Sequence, residues 1–220
     1  MKYDTYIFDI DGTLLDTSEG ILNSLNQICE KFQIPKMTKA KAMKYVGPPL
    51  AQVILNMYPQ ATKEQVDIGV EIYKEYFSRR GIYEARLYDG MLPLLRYLKN
   101  CGARLAVASL KYQEAVKLTI NHFKLNGYID AAFGSDTHGE LTKHDVIEKC
   151  LDLLGEVDRR RTVMIGDSPY DAEGAGKSGI DFIAATFGFG FTPENSKEFN
   201  PVLAISSPNE MLNAIKNGIL

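Results

Sequence analysis

Residues 7–17 read IFDIDGTLLDT. An apolar run that begins at Thr5 stops at Asp9. A second carboxylate follows at Asp11, and Gly12 and Thr13 then turn the chain. Runs of the same kind recur: TYIFDI (5–10), RLAVAS (104–109), TVMIG (162–166), DFIAA (181–185) and VLAI (202–205). They are apolar nearly throughout, as strands covered on both faces are. Amphipathic helical stretches separate them. Met91, Leu94, Leu95 and Leu98 share one face within 90–101, and Val146, Ile147, Cys150, Leu153 and Leu154 share one within 143–154. This alternation predicts an α/β fold with a doubly wound parallel sheet. Such sheets bind ligands outside the carboxyl ends of their strands, which is where Asp9 and Asp11 fall.

One block breaks the alternation. Between residues 17 and 88 the pattern is helical, without a convincing strand. Ile21, Leu22, Leu25, Ile28, Cys29 and Phe32 form one apolar face, and Val66, Val70, Tyr73 and Phe77 another. Between them, VGPPLAQVILNMY predicts a turn and then a helix with proline in its first turn. The organisation expected is an α/β core from 1–16 and 89–220, with a small all-helical cap inserted at 17–88. Hinges are expected near Asp16-Thr17 and Tyr88-Asp89.

The 220 residues are 45% hydrophobic, enough for a sizeable core, and the formal net charge is -3. No basic field of the kind that binds nucleic acid is present. No apolar run approaches the ~20 residues that cross a bilayer, and the N-terminal residues lack a secretory apolar stretch. The three cysteines, Cys29, Cys101 and Cys150, are far apart and lie in helix-like stretches. Reduced, buried thiols in a cytoplasmic protein are expected, not disulfides or a zinc site. His122, His138 and His144 lack metal-ligand spacing, and FGFGF (187–191) is no dinucleotide fingerprint. The lysines of KMTKAKAMK (36–44) read as a solvated helix face.

Three further features join the first pair of aspartates. VMIGDSPYDAEGAG (163–176) ends an apolar strand in Asp167, with Asp171 four residues on. Carboxylates from two strand ends repel unless a cation joins them, and Mg²⁺ suits such hard oxygen donors. LAVASL (105–110) ends a strand at Ser109, whose hydroxyl and following amides suit a phosphoryl oxygen. GELTKHDVI (139–147) sets Lys143 at a helix start behind a cap at Thr142, against the helix dipole.

These four motifs, in this order, resemble the haloacid dehalogenase superfamily of phosphatases over essentially the whole chain. DIDGTLLDT is similar to the specific first motif D-x-D-G-T-L-x-D, Ser109 to the second, Lys143 to the third, and Gly166-Asp167-Ser168 with Asp171 to the fourth. YVGPPL (45–50), the stretch 73–99 and FGSDTHGELTKHDVI (133–147) resemble the phosphoglycolate phosphatase-like and 5'-nucleotidase-like branch. The resemblance implies a Rossmann-like core with a helical cap and a Mg²⁺-dependent phosphomonoester hydrolase. Asp9 would be the nucleophile and Asp11 the acid and base. Mg²⁺ would lie on Asp9, Asp11 (through its carbonyl) and Asp167, with Asp171 supporting from outside. Ser109, Leu110 (through its N–H), Lys143, Gly12 and Thr13 would hold the phosphoryl group. The cap loop Gly47, Pro48 and Pro49 would select the substrate.

The implied partner is a small phosphorylated metabolite, with no nucleic acid and no membrane, in a monomer or homodimer. Phosphoglycolate is the first candidate; a nucleoside monophosphate, pyrophosphate and a sugar phosphate are the alternatives. After Ser109 the branch commonly has a small polar residue, lysine and proline, whereas this chain has Leu110, Lys111 and Tyr112. Asp11 argues against the dehalogenases, which lack it. Ile21 stands where the phosphohexomutases usually carry a histidine, and so opposes that reading. A phospho-accepting or phosphate-binding regulatory module is the non-enzymatic alternative, opposed by the long insert.

Overall fold

A computed structural model describes residues 1–136 and 140–220; His138 lies outside them. The first strand is β1 (Thr5–Phe8), followed by the two-residue β2 (Leu15–Asp16). Four helices come next: α1 (Ser18–Lys31), α2 (Lys39–Ala42), α3 (Leu50–Met57) and α4 (Lys63–Arg79). The chain returns through β3 (Arg86–Leu87) and α5 (Met91–Asn100) to β4 (Arg104–Tyr112), α6 (Gln113–His122) and β5 (Ala131–Ser135). It ends with α7 (Lys143–Leu154), β6 (Thr162–Gly166), α8 (Pro169–Lys177), β7 (Asp181–Ala185), β8 (Leu203–Ile205) and α9 (Pro208–Lys216).

The main sheet has the order β5-β4-β1-β6-β7-β8, and every pair in it is parallel. Alternation along each strand divides the apolar side chains between two layers. Tyr6 and Phe8 of β1, Leu105 and Val107 of β4, and Val163 and Ile165 of β6 pack with α5, α6 and α9. Ile7, Ala106, Ala108 and Met164, between them in sequence, pack with α7 and α8 on the other face. Both faces being covered explains why these strands read as unbroken apolar runs. β5 escaped the sequence reading because AAFGS is short and carries no β-branched residue.

The insert makes its own core. Ile21, Leu25, Ile28 and Cys29 of α1 meet Val53 and Ile54 of α3 and Val66, Tyr73 and Phe77 of α4. Within the expected helical span lies one small exception, β3, which pairs antiparallel with β2. Both connections between insert and sheet therefore run side by side as a short ribbon, clasped by Arg86 Nη2 at 3.2 Å from Asp16 Oδ2. Two-residue strands are too short to leave a periodic signal. Pro49 precedes α3 as its cap instead of lying in its first turn.

Two further expectations are corrected. Leu153 is 60% exposed and Leu151 is buried in its place, because the apolar stripe of α7 runs Val146, Ile147, Cys150, Leu151. Cys101 is exposed, since it caps the end of α5 in a turn; Cys29 and Cys150 are buried, and all three are free thiols. Among the described residues no helix is long and apolar enough to cross a membrane.

Candidate active site

Parallel register brings the ends of β1 and β6 beside Ser109 of β4, a strand that runs on to Tyr112, past the end expected at Ser109. Phe8 of β1 is level with Val107 of β4 and Ile165 of β6. One residue past Phe8 is Asp9, two past Val107 is Ser109, and two past Ile165 is Asp167. The Asp9 N–H continues the ladder by donating to the Ile165 carbonyl at 3.0 Å. Asp9, Ser109 and Asp167 are all buried and line one cleft with Asp11, Lys143 and the loop Gly47, Pro48 and Pro49 from the insert.

Lys143 enters from the first turn of α7. Thr142 and Asp145 form a capping box there, with Thr142 Oγ1 accepting from the Asp145 N–H at 3.3 Å and Asp145 Oδ2 accepting from the Thr142 N–H at 2.8 Å. The cap fixes the helix start and sends the lysine into the site. Its Nζ lies 2.7 Å from Asp9 Oδ1 and 2.6 Å from Asp171 Oδ1. Burial works against the ammonium, but these two carboxylates outweigh it and hold its pKa above the usual lysine value. A lysine set against a helix dipole thus has its compensation in the site.

Asp171 also builds the helix that carries it. Its Oδ2 accepts from the Ser168 N–H (3.0 Å) and Ser168 Oγ (2.6 Å), capping α8, while Oδ1 takes Lys143. Asp167 Oδ2 accepts the N–H groups of Phe189 (2.6 Å) and Gly190 (3.3 Å). The glycine–phenylalanine loop therefore orients this carboxylate, a function its sequence did not announce.

Burial, first, pushes the Asp9 carboxyl up to about 6; Lys143 pulls it down, while Asp171 and Asp11 push it further up. Burial likewise raises Asp167, reinforced by Asp171 and Asp9 and opposed by the two loop amides. Carboxylate oxygens of Asp9, Asp167 and Asp171 all lie within 4.8 Å of one another. Three buried carboxylates against one buried ammonium leave an excess of negative charge, and hard oxygen donors so placed fit a divalent cation. Asp171, engaged on both oxygens, fits a supporting position.

Asp11 is held from two sides. Thr17 Oγ1 donates to its Oδ1 at 2.7 Å, and Lys111 Nζ lies 3.0 Å from its Oδ2. Lys111 was passed over in the sequence reading. The available signal was the lysine that the resembled branch commonly carries two residues after its serine; strict alternation is no guide here, because β4 shifts register between Ser109 and Tyr112. Asp136, at the end of β5, was missed as well. It lines the cleft and accepts from the Glu140 and Leu141 N–H groups at 3.2 and 2.8 Å, which steers the chain toward α7.

Gly12 and Thr13 have a different position from that expected. The Gly12 N–H donates to the Leu15 carbonyl at 2.9 Å and the Thr13 N–H to the Ile10 carbonyl at 3.3 Å, so both amides are committed to the turn. Neither residue lines the cleft. Gly12 is needed for another reason: its φ is +77°, and a Cβ there would lie 2.1 Å from Asp167 Oδ2. Leu110 lines the cleft together with Ser109. Gly47 has φ +116°, and a Cβ on it would come within 3.3 Å of the Tyr170 ring, where the insert meets the core. His144 faces Ser178 Oγ at 2.8 Å, and His122 meets Tyr83 edge-on with ring centroids 4.7 Å apart; neither lines the cleft.

A six-stranded parallel sheet that gathers buried carboxylates and one buried lysine at its carboxyl edge, under a helical insert, defines a capped α/β protein with a charge-rich catalytic cleft. The chain belongs to the haloacid dehalogenase-like hydrolases, whose family model matches residues 6–185. It is 32% identical over 185 residues to the tyrosine-protein kinase PtkA of Mycobacterium tuberculosis, covering 84% of this chain and 62% of the relative. The chain thus spans less than two thirds of that relative's length. It is 32% identical over 195 residues to a 5'-nucleotidase of Pseudomonas aeruginosa, covering 88% and 87% of the two chains. A crystal structure described as a predicted phosphatase from Clostridium acetobutylicum superposes with TM-score 0.89 at 35% identity, covering 99% and 100%.

Proposed function

We propose that this chain hydrolyses phosphomonoesters of small metabolites through an aspartyl-phosphate, in the manner of a phosphoglycolate phosphatase. The observation that carries this is Asp9: a buried carboxylate at the end of the central strand, with Lys143 on one oxygen and Ser109 and Asp11 beside it in the cleft. Asp9 would attack phosphorus. As that P–O bond forms, the bond to the leaving alcohol breaks, and Asp11 gives the leaving oxygen its proton. Water then attacks the same phosphorus, Asp11 takes the proton back, and Asp9 and inorganic phosphate are released. Ser109 and the Leu110 N–H would orient phosphoryl oxygens, and Lys143 would steady Asp9.

Mg²⁺ on Asp9 and Asp167, with Asp171 in support and the Asp11 carbonyl as a further donor, would neutralise phosphoryl charge. We leave Gly12 and Thr13 out of the phosphate set, because their amides serve the turn.

Residues 17–88 act, in this proposal, as a cap whose movement is taken up at the β2–β3 ribbon and which closes the site to water. Gly47, Pro48 and Pro49 would meet the leaving group. A nucleoside 5'-monophosphate is the second reading, favoured by the apolar wall of Ile21, Leu25, Val53 and Val70 that faces the cleft.

The test is phosphate release from phenyl phosphate and a panel of natural phosphomonoesters with Mg²⁺. Turnover is expected, with loss in EDTA, recovery on adding Mg²⁺, and loss in Asp9→Asn. Activity that survives EDTA or Asp9→Asn would overturn the proposal.

A further inference from the structure

The glycine–phenylalanine loop that holds Asp167 is fixed at both ends. Thr186 donates its N–H and its hydroxyl to the Ile205 carbonyl, at 2.9 and 3.0 Å. Phe191 is buried and meets Phe182 edge-on, with ring centroids 6.0 Å apart. Between these anchors the backbone rests on the turn after β1 and on Asp167 itself. A side chain at Gly188 would collide with the Gly12 carbonyl and with Asp167 Cβ. Phe189 and Gly190 then give their N–H groups to Asp167 Oδ2. The loop is thus a backing for this carboxylate, and a shift of its backbone re-aims Oδ2.

One side chain of the loop reaches out to the insert. Phe187 packs on the apolar layer formed with α5, α6 and α9, and meets Tyr88 edge-on, with ring centroids 4.8 Å apart and planes at 72°. Tyr88 follows β3 directly, where the insert rejoins the core, and its N–H donates to the Leu14 carbonyl at 3.2 Å beside β2. The contact therefore ties the foot of the β2–β3 ribbon to the loop, two residues before the Phe189 amide. A second aromatic contact joins insert and core: Tyr83 meets His122 edge-on at 4.7 Å. His122 ends α6, and neither it nor its chain neighbours line the cleft. The two contacts are alike in geometry and differ in what lies behind them.

We propose that Tyr88 and Phe187 are positioning residues for Asp167: their contact sets the aim of its Oδ2 and couples the insert's return connection to metal binding. While the ribbon is seated, the loop holds the carboxylate ready for the ion. Movement that parts the two rings releases the loop and weakens the ion's hold. Coupling between two sites is reciprocal, so bound Mg²⁺ in turn seats the ribbon. The proposal rests on the reading of Asp167 as a Mg²⁺ ligand, and deepens it by naming the residues that act on it from the insert.

The experiment titrates Mg²⁺ alone into the whole chain by calorimetry at pH 7.5, without substrate. An edge-to-face pair is strong enough to change affinity about 2- to 10-fold. Phe187→Leu and Tyr88→Leu should each weaken Mg²⁺ binding by that factor. The double variant should be no worse than the poorer single one, since both changes break one contact. Tyr88→Phe keeps the ring and should bind as wild type does. Tyr83→Leu should leave Mg²⁺ binding unchanged. Hydrogen exchange at residues 86–90 should slow when Mg²⁺ is added to wild type, and not in Phe187→Leu. Each leucine keeps apolar bulk at its position, and thermal melts verify that every variant is folded. Phe187→Leu and Tyr88→Leu variants that melt lower than wild type yet bind Mg²⁺ equally well would make the contact merely structural and overturn the proposal. An equal loss of affinity in Tyr83→Leu would overturn it too. Asp167→Asn separates the two readings. If it abolishes Mg²⁺ binding while the aromatic variants bind as wild type, only the positioning role fails; if it binds Mg²⁺ as wild type does, the metal assignment fails and the positioning role with it.

Discussion

Lys143→Met removes the one ammonium that meets both Asp9 and Asp171, at 2.7 and 2.6 Å, in a site where lysine and aspartates alike are buried. Methionine fills similar space but leaves two buried carboxylates without their counter-charge. Breaking a buried pair in this way costs about 3–5 kcal/mol. At ~2.1 cal/mol/K per residue, a 220-residue chain has an unfolding entropy of roughly 0.5 kcal/mol/K. The melting temperature should therefore drop by roughly 6–10 °C. The deficit should also depend on pH. Asp9 already sits up at about 6 with Lys143 in place, and losing the cation raises it further. A carboxyl raised in the folded chain destabilises progressively as pH climbs from its unfolded value to its folded one. The Asp9 share of this loss therefore levels off near pH 6 in wild type, whereas in the variant it goes on growing above that pH. The gap between them should widen from pH 5.5 to pH 7.5 and narrow when Mg²⁺ is added. Urea unfolding at both pH values, with and without Mg²⁺, measures this. A variant within 0.5 kcal/mol of wild type (a threshold on the order of ordinary surface changes) at pH 7.5 without Mg²⁺ would refute the reasoning.

Mg²⁺ binding should strengthen as pH rises through about 6, since burial raises Asp9 to that value and Asp167 in the same direction. Ion binding must displace those protons, so calorimetry at pH 5 and pH 7.5 should show weaker binding at the lower value, and equal affinities would contradict it. Gly12→Ala would put a Cβ 2.1 Å from Asp167 Oδ2 at φ +77°. It should weaken Mg²⁺ binding and activity at least tenfold, while Gly102→Ala, at φ +80° with open space around it, should cost only modest stability and no activity. Gly47→Leu would press on Tyr170 at φ +116°, and should re-rank a phosphomonoester panel while sparing phenyl phosphate; an unchanged ranking would remove this loop from substrate choice.

The sheet was legible because β1, β4 and β6 are apolar on both faces, and β1 and β6 end abruptly at Asp9 and Asp167. Asp9 and Asp167 could be placed at neighbouring strand ends before any register was known. Lys143 was legible through Thr142, which marks the helix start that delivers it. What stayed hidden depends on contacts distant in sequence. Phe189 and Gly190 serve Asp167 through their amides, and an amide carries no residue signature. Lys111 stands where the resembled branch commonly carries a lysine, yet its meaning needed Asp11 and Phe77 brought to it from two other elements. The β2–β3 ribbon is two residues on each side, below the length at which alternation can be read. Gly12 has the Asp167 carboxylate behind it, a neighbour that its place in the sequence could not announce.

The nucleophile can be caught directly. Wild-type protein with Mg²⁺ is mixed with a ³²P-labelled phosphomonoester, quenched in acid within one turnover, reduced with borohydride and digested. An aspartyl-phosphate at Asp9 leaves label on the peptide containing IFDIDGTLLDT before reduction, and homoserine at position 9 after it. Turnover that continues with no label on this peptide, or with homoserine formed at another aspartate, would contradict the assignment of Asp9.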